Sequence, residues 1–206
     1  MTEKKAPILA IERHRIATDG RGVTTLVGFW GCPLRCKYCI NPHSFSENIK
    51  PLLLTPEELY ARTVIDQIYF LASGGGVTFG GGEPLLYPQF LKAFREQCGE
   101  AWHLTAETSL AVPWESVELA ASCIDEFWID CKDTNDAIYT RYTGKSNRQM
   151  LENLARLTTL VPPERIVVRL PLIPDYNTAA DVEQSQEMLS ALGITRFDRF
   201  SYRTKK

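Results

Sequence analysis

The chain carries three cysteines within eight residues, Cys32, Cys36 and Cys39, and their thiol groups are the side chains best suited to metal chemistry. They are separated by three residues and then by two. Three thiolates on one short loop can bind three irons of a cubane iron–sulfur cluster and leave the fourth iron without a protein ligand. Because an open coordination position is where a metal site binds its substrate, this spacing predicts a catalytic cluster.

A zinc site is the main alternative for the same cysteines, with His43 as a fourth ligand. Zinc modules usually combine two short ligand pairs that lie far apart in the chain, whereas Cys98, Cys123 and Cys131 occur singly. A disulfide framework is not expected, because the N-terminus lacks the apolar segment of a signal peptide and the six cysteines form no staple pattern. The cysteines alone favour an iron–sulfur cluster and leave zinc open.

Composition limits the other classes of function. A chain of 206 residues with 44% hydrophobic residues predicts one domain with a well-buried core. The net charge is −2 with both signs interspersed, so neither nucleic acid nor an anionic membrane is an expected partner. No apolar run approaches the roughly 18–20 residues that span a bilayer. We therefore expect a cytoplasmic protein, whose reducing surroundings keep thiols free.

Strand-like apolar runs alternate with helical patterns along the whole chain. Six strands are predicted, at 24–30, 77–79, 101–106, 126–132, 165–170 and 196–202. Helices are predicted between them, at 55–73, 87–97, 113–122, 147–160 and 179–192. The first helix has the clearest start, because Thr55 and Glu58 form a capping-box pattern and Pro56 occupies the first helical position.

Strict alternation of strands and helices predicts parallel strands joined by right-handed crossovers. Six units are too few for a closed eight-stranded barrel, so a doubly wound sheet or an open partial barrel is expected. In both architectures the chemistry lies at the carboxyl ends of the strands. The cysteine loop (residues 31–39) follows the first strand, and a glycine turn (residues 80–84) follows the second. The sequence thus places both motifs at the same end of the sheet.

The glycine turn contains Gly80, Gly81, Gly82 and Glu83, followed by a proline. Such a run is often an ordinary tight turn, and it is not a phosphate-binding loop because no Gly-Lys-Ser/Thr follows. Glycine also allows the backbone to approach a ligand closely, and a carboxylate at the end of the run could receive an ammonium group. The glycine turn becomes informative when it is combined with the cysteine loop.

Together these motifs resemble the radical S-adenosylmethionine (SAM) superfamily, and within it the glycyl-radical-enzyme activases. The resemblance rests on the cysteine spacing, with Tyr38 before the last cysteine, and on the segment 73–85 that contains the glycine turn. It extends from about residue 8 to residue 202. Further matching segments are Thr18-Asp19-Gly20-Arg21-Gly22, Ile129-Asp130-Cys131-Lys132, Tyr142-Thr143-Gly144 and Arg169-Leu170-Pro171-Leu172-Ile173-Pro174.

The resemblance implies an open partial (β/α)6 barrel of parallel strands that forms a single radical SAM domain over residues 1–206. It also implies one [4Fe–4S] cluster bound by the three cysteines, with SAM bound at the open iron. One electron would cleave SAM reductively to a 5′-deoxyadenosyl radical, which in activases abstracts a hydrogen atom from a glycine of a partner glycyl radical enzyme. A flavodoxin or a ferredoxin-type protein would supply the electron.

The resemblance also implies roles for individual residues. The backbone around Tyr38, Cys39 and Ile40 would flank the adenine, and the glycine turn would bind the methionine amino group. Asp130 and Lys132 would act beside SAM as the catalytic pair. Other implied SAM contacts are Gly80, Gly81, Gly82, Glu83, Cys131, Arg169 and Arg203. Strand periodicity supports one of these assignments separately, since Asp130 and Lys132 lie on one face of a strand and Cys131 on the other.

Two departures from the activase pattern concern the substrate and a bound cation. Glu107 stands where activases carry an aspartate that in some relatives helps to hold a monovalent cation, and Arg203 stands near the position of a histidine that approaches the adenine. The predicted function is a compact activase. The alternatives are a small radical SAM enzyme acting on another peptide or small molecule, and a non-catalytic metal-binding interaction module.

Overall fold

The computed structural model describes residues 5–16, 18–46 and 48–202. These residues form one eight-stranded sheet with strand order β3-β1-β2-β4-β5-β6-β7-β8. The strands are β1 (Ala6–Ile16), β2 (Val23–Phe29), β3 (Leu52–Leu54), β4 (Gly76–Gly81), β5 (His103–Thr108), β6 (Glu126–Asp130), β7 (Ile166–Leu172) and β8 (Phe197–Ser201). The helices are α1 (Pro56–Thr63), α2 (Gln67–Ser73), α3 (Pro88–Cys98), α4 (Trp114–Ala121), α5 (Asp136–Thr143), α6 (Arg148–Leu160) and α7 (Ala179–Ala191).

The six predicted strands correspond to β2 and β4 to β8, which pair in parallel in chain order. The sheet curves strongly enough that Gly81, at the end of β4, and Phe200, on β8, line the same cavity. Within the described residues β3 and β8 are the two ends of the strand order, so the barrel is open. The predicted open partial (β/α)6 barrel is confirmed.

The sequence patterns missed the antiparallel edge of the sheet. Strand β1 pairs with β2 and β3 pairs with β1, both in antiparallel orientation. The second half of β1 is largely exposed, has register irregularities and includes His14 at φ 58°. Half-exposed antiparallel strands of this kind lack the continuous apolar run by which buried parallel strands are identified. Strand β3 has only three residues and gives no periodic signal.

The single helix predicted at 55–73 is in fact two helices, α1 and α2, separated by a 3-10 turn at Val64–Asp66. The start is as predicted, with a capping box between Thr55 and Glu58. The helix is interrupted at Asp66, whose buried carboxylate accepts hydrogen bonds from Arg13 Nε at 2.8 Å and Thr25 Oγ1 at 3.1 Å. We attribute the break to these tertiary bonds, because they pull one residue of the helical segment towards the sheet.

Helix α5 was not predicted, and β6 is shorter than predicted because it ends at Asp130. Asn135 caps α5 by accepting hydrogen bonds from Ala137 N at 3.0 Å and Ile138 N at 3.4 Å. Gly144 ends the helix in the left-handed conformation, with φ 82°. With eight residues and only weak apolar periodicity, α5 depends on its caps and its packing rather than on pattern.

The apolar core lies between the sheet and the helices. Its largest members are fully buried aromatic side chains, and Phe79, Phe94 and Trp102 pack edge-to-face or tilted with ring centroids 5.5 to 6.3 Å apart. Burial of each such side chain stabilises the folded state by about 1.5–3 kcal/mol relative to leaving it exposed to water. No helix among the described residues has the length and apolar character needed to cross a bilayer.

Candidate functional site

A cavity of about 160 Å³ opens at the carboxyl ends of the parallel strands. It lies where the architecture places ligand sites in parallel α/β folds. Its lining includes all three cysteines of the cysteine loop, which are free thiols of intermediate exposure. The other lining residues are Leu34, Tyr38, Ile40, Asn41, Gly81, Gly82, Glu83, Glu107, Thr108, Ser109, Asp130, Lys132, Tyr142, Arg169, Phe200 and Tyr202.

The cysteine loop is anchored on both sides of Cys36 by the end of helix α5. The backbone N–H of Arg35 donates to the carbonyl of Thr143 at 2.9 Å, and the N–H of Lys37 donates to the carbonyl of Tyr142 at 3.1 Å. These carbonyls belong to the last turn of the helix, whose acceptors have no partner within the helix itself. The α5 terminus therefore fixes the backbone that carries the central cysteine.

The donor set fits a cubane cluster. Burial raises the pKa of the Cys32 thiol to about 12 and that of Cys36 to about 11. Both thiols are therefore neutral at physiological pH until a metal displaces the proton, so metal binding releases protons. No three Cys, His, Asp or Glu side chains in the described ranges converge on one metal ion. A cubane does not require such convergence, because each cysteine binds a different iron.

The glycine turn and the cysteine loop are in direct backbone contact. Gly82 N donates to Phe29 O at 2.9 Å, and Glu83 N donates to Gly31 O at 2.8 Å. A Cβ atom on Gly82 would lie 2.3 Å from Gly31 O, so no larger residue fits this approach. Gly81 and Gly82 line the cavity, whereas Gly80 lies in β4 with its Cα facing Glu107 and outside the lining. The absence of side chains in the turn is what brings the two motifs together.

Glu83 connects the glycine turn to the end of β5. Its buried carboxylate accepts from Thr108 Oγ1 at 2.7 Å, Leu85 N at 3.2 Å, Ser109 N at 2.9 Å and Ser109 Oγ at 2.6 Å. Burial raises the pKa of this carboxyl, and the four donors oppose that rise. A carboxylate has about four acceptor positions, so these bonds occupy its capacity. Any ammonium ligand at Glu83 would have to share oxygens that already hold the turn in place.

Asp130 and Lys132 both line the cavity, as their predicted common face required, although Lys132 lies beyond the end of β6. Lys132 Nζ lies 3.1 Å from Asp130 Oδ2 and donates to the hydroxyl of Tyr202 at 2.9 Å. Burial opposes the charge of Lys132, but Asp130 and Tyr202 outweigh it and raise its pKa well above the ordinary value. Cys131 is fully buried in the core on the opposite side and is absent from the lining.

Arg169 and Glu107 line the cavity as an ion pair. Arg169 Nη1 lies 3.0 Å from Glu107 Oε1, and its guanidinium carbon lies 5.3 Å from the ring centroids of Trp128 and of Phe200. Burial raises the pKa of Glu107 to about 7, although Arg169 opposes this. Arg169 is thus a partly buried, paired cation rather than a free surface charge. The remaining predicted contact, Arg203, lies outside the described residues.

Sequence reasoning missed several lining residues. Tyr142 begins the segment Tyr142-Thr143-Gly144, which carries part of the resemblance, and Tyr202 directly precedes Arg203, although neither tyrosine was assigned a role. Thr108 and Ser109 follow β5 at the same sheet edge as the motifs, which was a usable signal. Asn41 and Phe200 gave no signal, because single polar and aromatic residues are common everywhere.

Comparison with known proteins identifies the arrangement. The family model described as the radical SAM superfamily matches residues 28–189. The (2S)-3-sulfopropanediol dehydratase activating enzyme of Klebsiella oxytoca is 29% identical, over 82% of this chain and 72% of the relative. The pyruvate formate-lyase 2-activating enzyme of Escherichia coli (strain K12) is also 29% identical, over 92% of this chain and 74% of the relative.

Solved structures agree on the fold. The crystal structure of Streptococcus suis SuiB bound to S-adenosylmethionine superposes with a TM-score of 0.61 at 16% identity. The match covers 85% of this chain and 39% of that one. At this identity the similarity supports the barrel architecture alone.

Proposed function

Because this chain belongs to the radical SAM superfamily, we propose that it is a glycyl-radical-enzyme activase, which generates a glycyl radical on a partner enzyme. The observation that carries the proposal is that the chain's relatives are activating enzymes, across most of their length, and that its cavity unites the motifs on which the resemblance rests. We further propose that the chain acts as a single domain.

Members of this superfamily use a [4Fe–4S] cluster and SAM. Bound together, these cofactors supply reductive cleavage of SAM and a 5′-deoxyadenosyl radical that removes a hydrogen atom from the substrate. Cys32, Cys36 and Cys39 would hold the cluster. The backbone of the glycine turn would orient the methionine end of SAM, and Tyr38 and Ile40 would flank the adenine.

The remaining groups of the cavity keep the site ordered and charged. The Asp130–Lys132 pair presents both a carboxylate and an ammonium group to a polar ligand, with Lys132 held by Tyr202. Arg169 keeps a guanidinium group in the cavity lining, where it can contact a carboxylate or the backbone of an entering peptide. The protein's contribution is therefore orientation and exclusion of water, while the cofactors supply the reactivity.

The activase role implies two protein partners. One is the glycyl radical enzyme, which provides the glycine, as the names of the relatives indicate for those proteins. The other is a one-electron donor of the flavodoxin or ferredoxin type. A reducing cytoplasm suits this chain and both partners, because the thiols that would bind the cluster must stay free of disulfides.

The test is a radical assay on anaerobically reconstituted, reduced protein. It is mixed with SAM and a glycyl radical enzyme encoded beside it, and a glycyl radical is sought by electron paramagnetic resonance. We expect one radical signal together with 5′-deoxyadenosine. Cys36→Ala should abolish the cluster, the glycyl radical signal and the formation of 5′-deoxyadenosine. Cys98 lies outside the cavity, so Cys98→Ala should leave the cluster and both products intact. Production of 5′-deoxyadenosine without any glycyl radical on such an enzyme would favour another peptide or small-molecule substrate.

A further inference from the structure

The turn that connects β7 to α7 (residues 173–178, the β7–α7 turn) is in side-chain contact with the cysteine loop. The hydroxyl of Tyr38 donates to Asp175 Oδ2 at 3.1 Å, across 137 positions of the sequence. The ring of Tyr38 also packs edge-to-face on that of Tyr176, with ring centroids 5.7 Å apart. Tyr38 lines the cavity, whereas Asp175 and Tyr176 lie outside the lining. The turn therefore supports a residue that faces the cavity.

The β7–α7 turn is itself held in a defined conformation. Asn177 closes it, because its Oδ1 accepts from Ile173 N at 2.6 Å and its Nδ2 donates to Pro171 O at 3.1 Å. Asp175 has φ 66°, in the left-handed region that few residues other than glycine, Asn and Asp adopt. Such a conformation persists only where the surroundings fix it, and it is enriched at ligand sites. In this conformation the Asp175 carboxylate reaches Tyr38.

Helix α5 joins the β7–α7 turn to the cysteine loop. Arg141 Nη2 donates to the carbonyls of Tyr176 at 2.6 Å and of Asp175 at 3.3 Å. The Arg141 guanidinium carbon lies 5.2 Å from the Tyr176 ring centroid. Tyr142 packs on the rings of both Tyr176 and Tyr38, with centroids 5.0 and 6.1 Å away. Because the last carbonyls of α5 also bind the cysteine loop, three segments that are distant in the sequence meet around Tyr38.

The Tyr38 side chain ties the segment between the last two cysteines to the rest of the fold. Backbone bonds from α5 reach the loop at Arg35 and Lys37, and Cys39 N donates to Cys36 O at 3.2 Å. Tyr38 lies between these anchors, and its side chain extends to the β7–α7 turn. A segment ordered in this way before a ligand arrives spares the ligand the cost of ordering it.

We propose that Asp175 and Tyr176 are positioning residues that act through Tyr38 and pre-order the segment between Cys36 and Cys39 for SAM. The proposal rests on the SAM site of the proposed function, but not on the activase role. The apparent dissociation constant of a ligand that binds only the ordered segment is the intrinsic one divided by the ordered fraction. Loss of the Tyr38–Asp175 bond lowers that fraction, so SAM should bind more weakly at unchanged iron content.

Two substitutions at Asp175 separate the hydrogen bond from the backbone conformation. Asp175→Gly allows the left-handed conformation and removes the acceptor. Asp175→Asn keeps both, since asparagine adopts this conformation and its amide oxygen can accept from Tyr38. Tyr38→Phe removes the donor and keeps the ring. Tyr69→Phe is the control, because Tyr69 is 49% exposed and lies outside the cavity lining.

The test is a SAM titration of each reconstituted, reduced variant, followed by electron paramagnetic resonance of the cluster. The Tyr38–Asp175 bond is exposed, so we expect about fivefold weaker SAM binding in Asp175→Gly and in Tyr38→Phe. The double variant should bind SAM as weakly as either single variant, because both substitutions remove the same bond. Asp175→Asn and Tyr69→Phe should bind SAM as the wild type does. Rescue by asparagine distinguishes the bond from a general loss of stability.

Wild-type SAM affinity in Asp175→Gly and Tyr38→Phe would overturn the proposal. Additive losses in the double variant would also overturn it, because the two residues would then act independently.

Hydrogen exchange of the reconstituted protein without SAM gives a second readout. The amides of residues 37–39 should exchange faster in Asp175→Gly than in Asp175→Asn, and equal exchange would overturn the proposal. If the wild type itself bound no SAM, the SAM site of the proposed function would fail, and the exchange comparison would still decide whether Asp175 orders the loop. Failure of the glycyl radical assay would leave all these results unaffected.

Discussion

Ser109 donates both its backbone N–H and its hydroxyl to one carboxylate oxygen of Glu83, at 2.9 and 2.6 Å. This pair joins the glycine turn after β4 to the segment after β5, next to the cysteine loop. It means that the carboxylate of the glycine turn is first a structural acceptor, and that any effect on SAM passes through the shape of the turn.

Glu83→Gln should therefore destabilise the fold as well as weaken SAM binding. The NH₂ of the amide replaces one of the two carboxylate oxygens and cannot accept, so in either orientation a backbone N–H, that of Ser109 or that of Leu85, loses its acceptor. An unpaired buried donor costs about 1–3 kcal/mol in the free energy of unfolding. Urea unfolding measures the first effect and SAM titration of the reconstituted protein the second. Glu100→Gln is the control, because that side chain is 88% exposed. A variant that loses SAM affinity at unchanged stability would show instead that Glu83 contacts the ligand directly.

Gly82→Ala should separate the glycine turn from the cysteine loop. The added Cβ would lie 2.3 Å from the carbonyl oxygen of Gly31, so the backbone of one loop must move. We expect lower iron occupancy after reconstitution and at least tenfold weaker SAM binding, measured by iron assay and by ligand titration. Gly28→Ala is a matched control, since its new Cβ would meet its nearest neighbours at 3.8 Å. Equal behaviour of the two variants would contradict a close approach at Gly82.

Loss of the Asp130 charge should lower the free energy of unfolding more than loss of the Lys132 charge. The Lys132 side chain is 9% exposed and that of Asp130 is 31% exposed. Asp130→Asn leaves a buried ammonium without its counter-charge, which costs about 3–5 kcal/mol in fully buried pairs. Lys132→Gln leaves a carboxylate that water can still reach, so its cost should be smaller. Chemical unfolding of both single variants and the double variant measures the difference, and a larger loss for Lys132→Gln would contradict it.

Glu107 should make stability depend on pH. Its pKa rises from 4.5 to about 7 on folding, mainly through burial, so the folded state holds its proton more tightly than the unfolded state. The stabilisation of the folded state by this proton is complete below about pH 4.5 and is lost as the pH rises through 7. Its upper limit is about 3 kcal/mol in the free energy of unfolding, at about 1.4 kcal/mol per pKa unit. Glu107→Gln should remove that part of the decline, as measured by urea unfolding from pH 4.5 to 8. Parallel profiles for wild type and variant would refute a raised pKa.

The sequence by itself determined the alternation of strands and helices, and with it the sheet edge at which the chemistry lies. The spacing of apolar residues and the residues that begin or end an element are local properties of the sequence. The parallel strands β2 and β4 to β8 were therefore predicted with boundaries close to those observed. The cysteine spacing and the glycine turn were likewise local motifs. They predicted neighbouring loops because parallel strands end at one edge.

The tertiary structure decided what depends on contacts between distant segments. Asp66 divides a continuous helical pattern because its carboxylate bonds to β1 and β2 across the fold. Helix α5 has only weak apolar periodicity, yet its last carbonyls anchor the cysteine loop. Glu83 looked like a free carboxylate until folding brought Ser109 to it. Burial and long-range hydrogen bonds assign these roles, and neither is encoded in residue spacing.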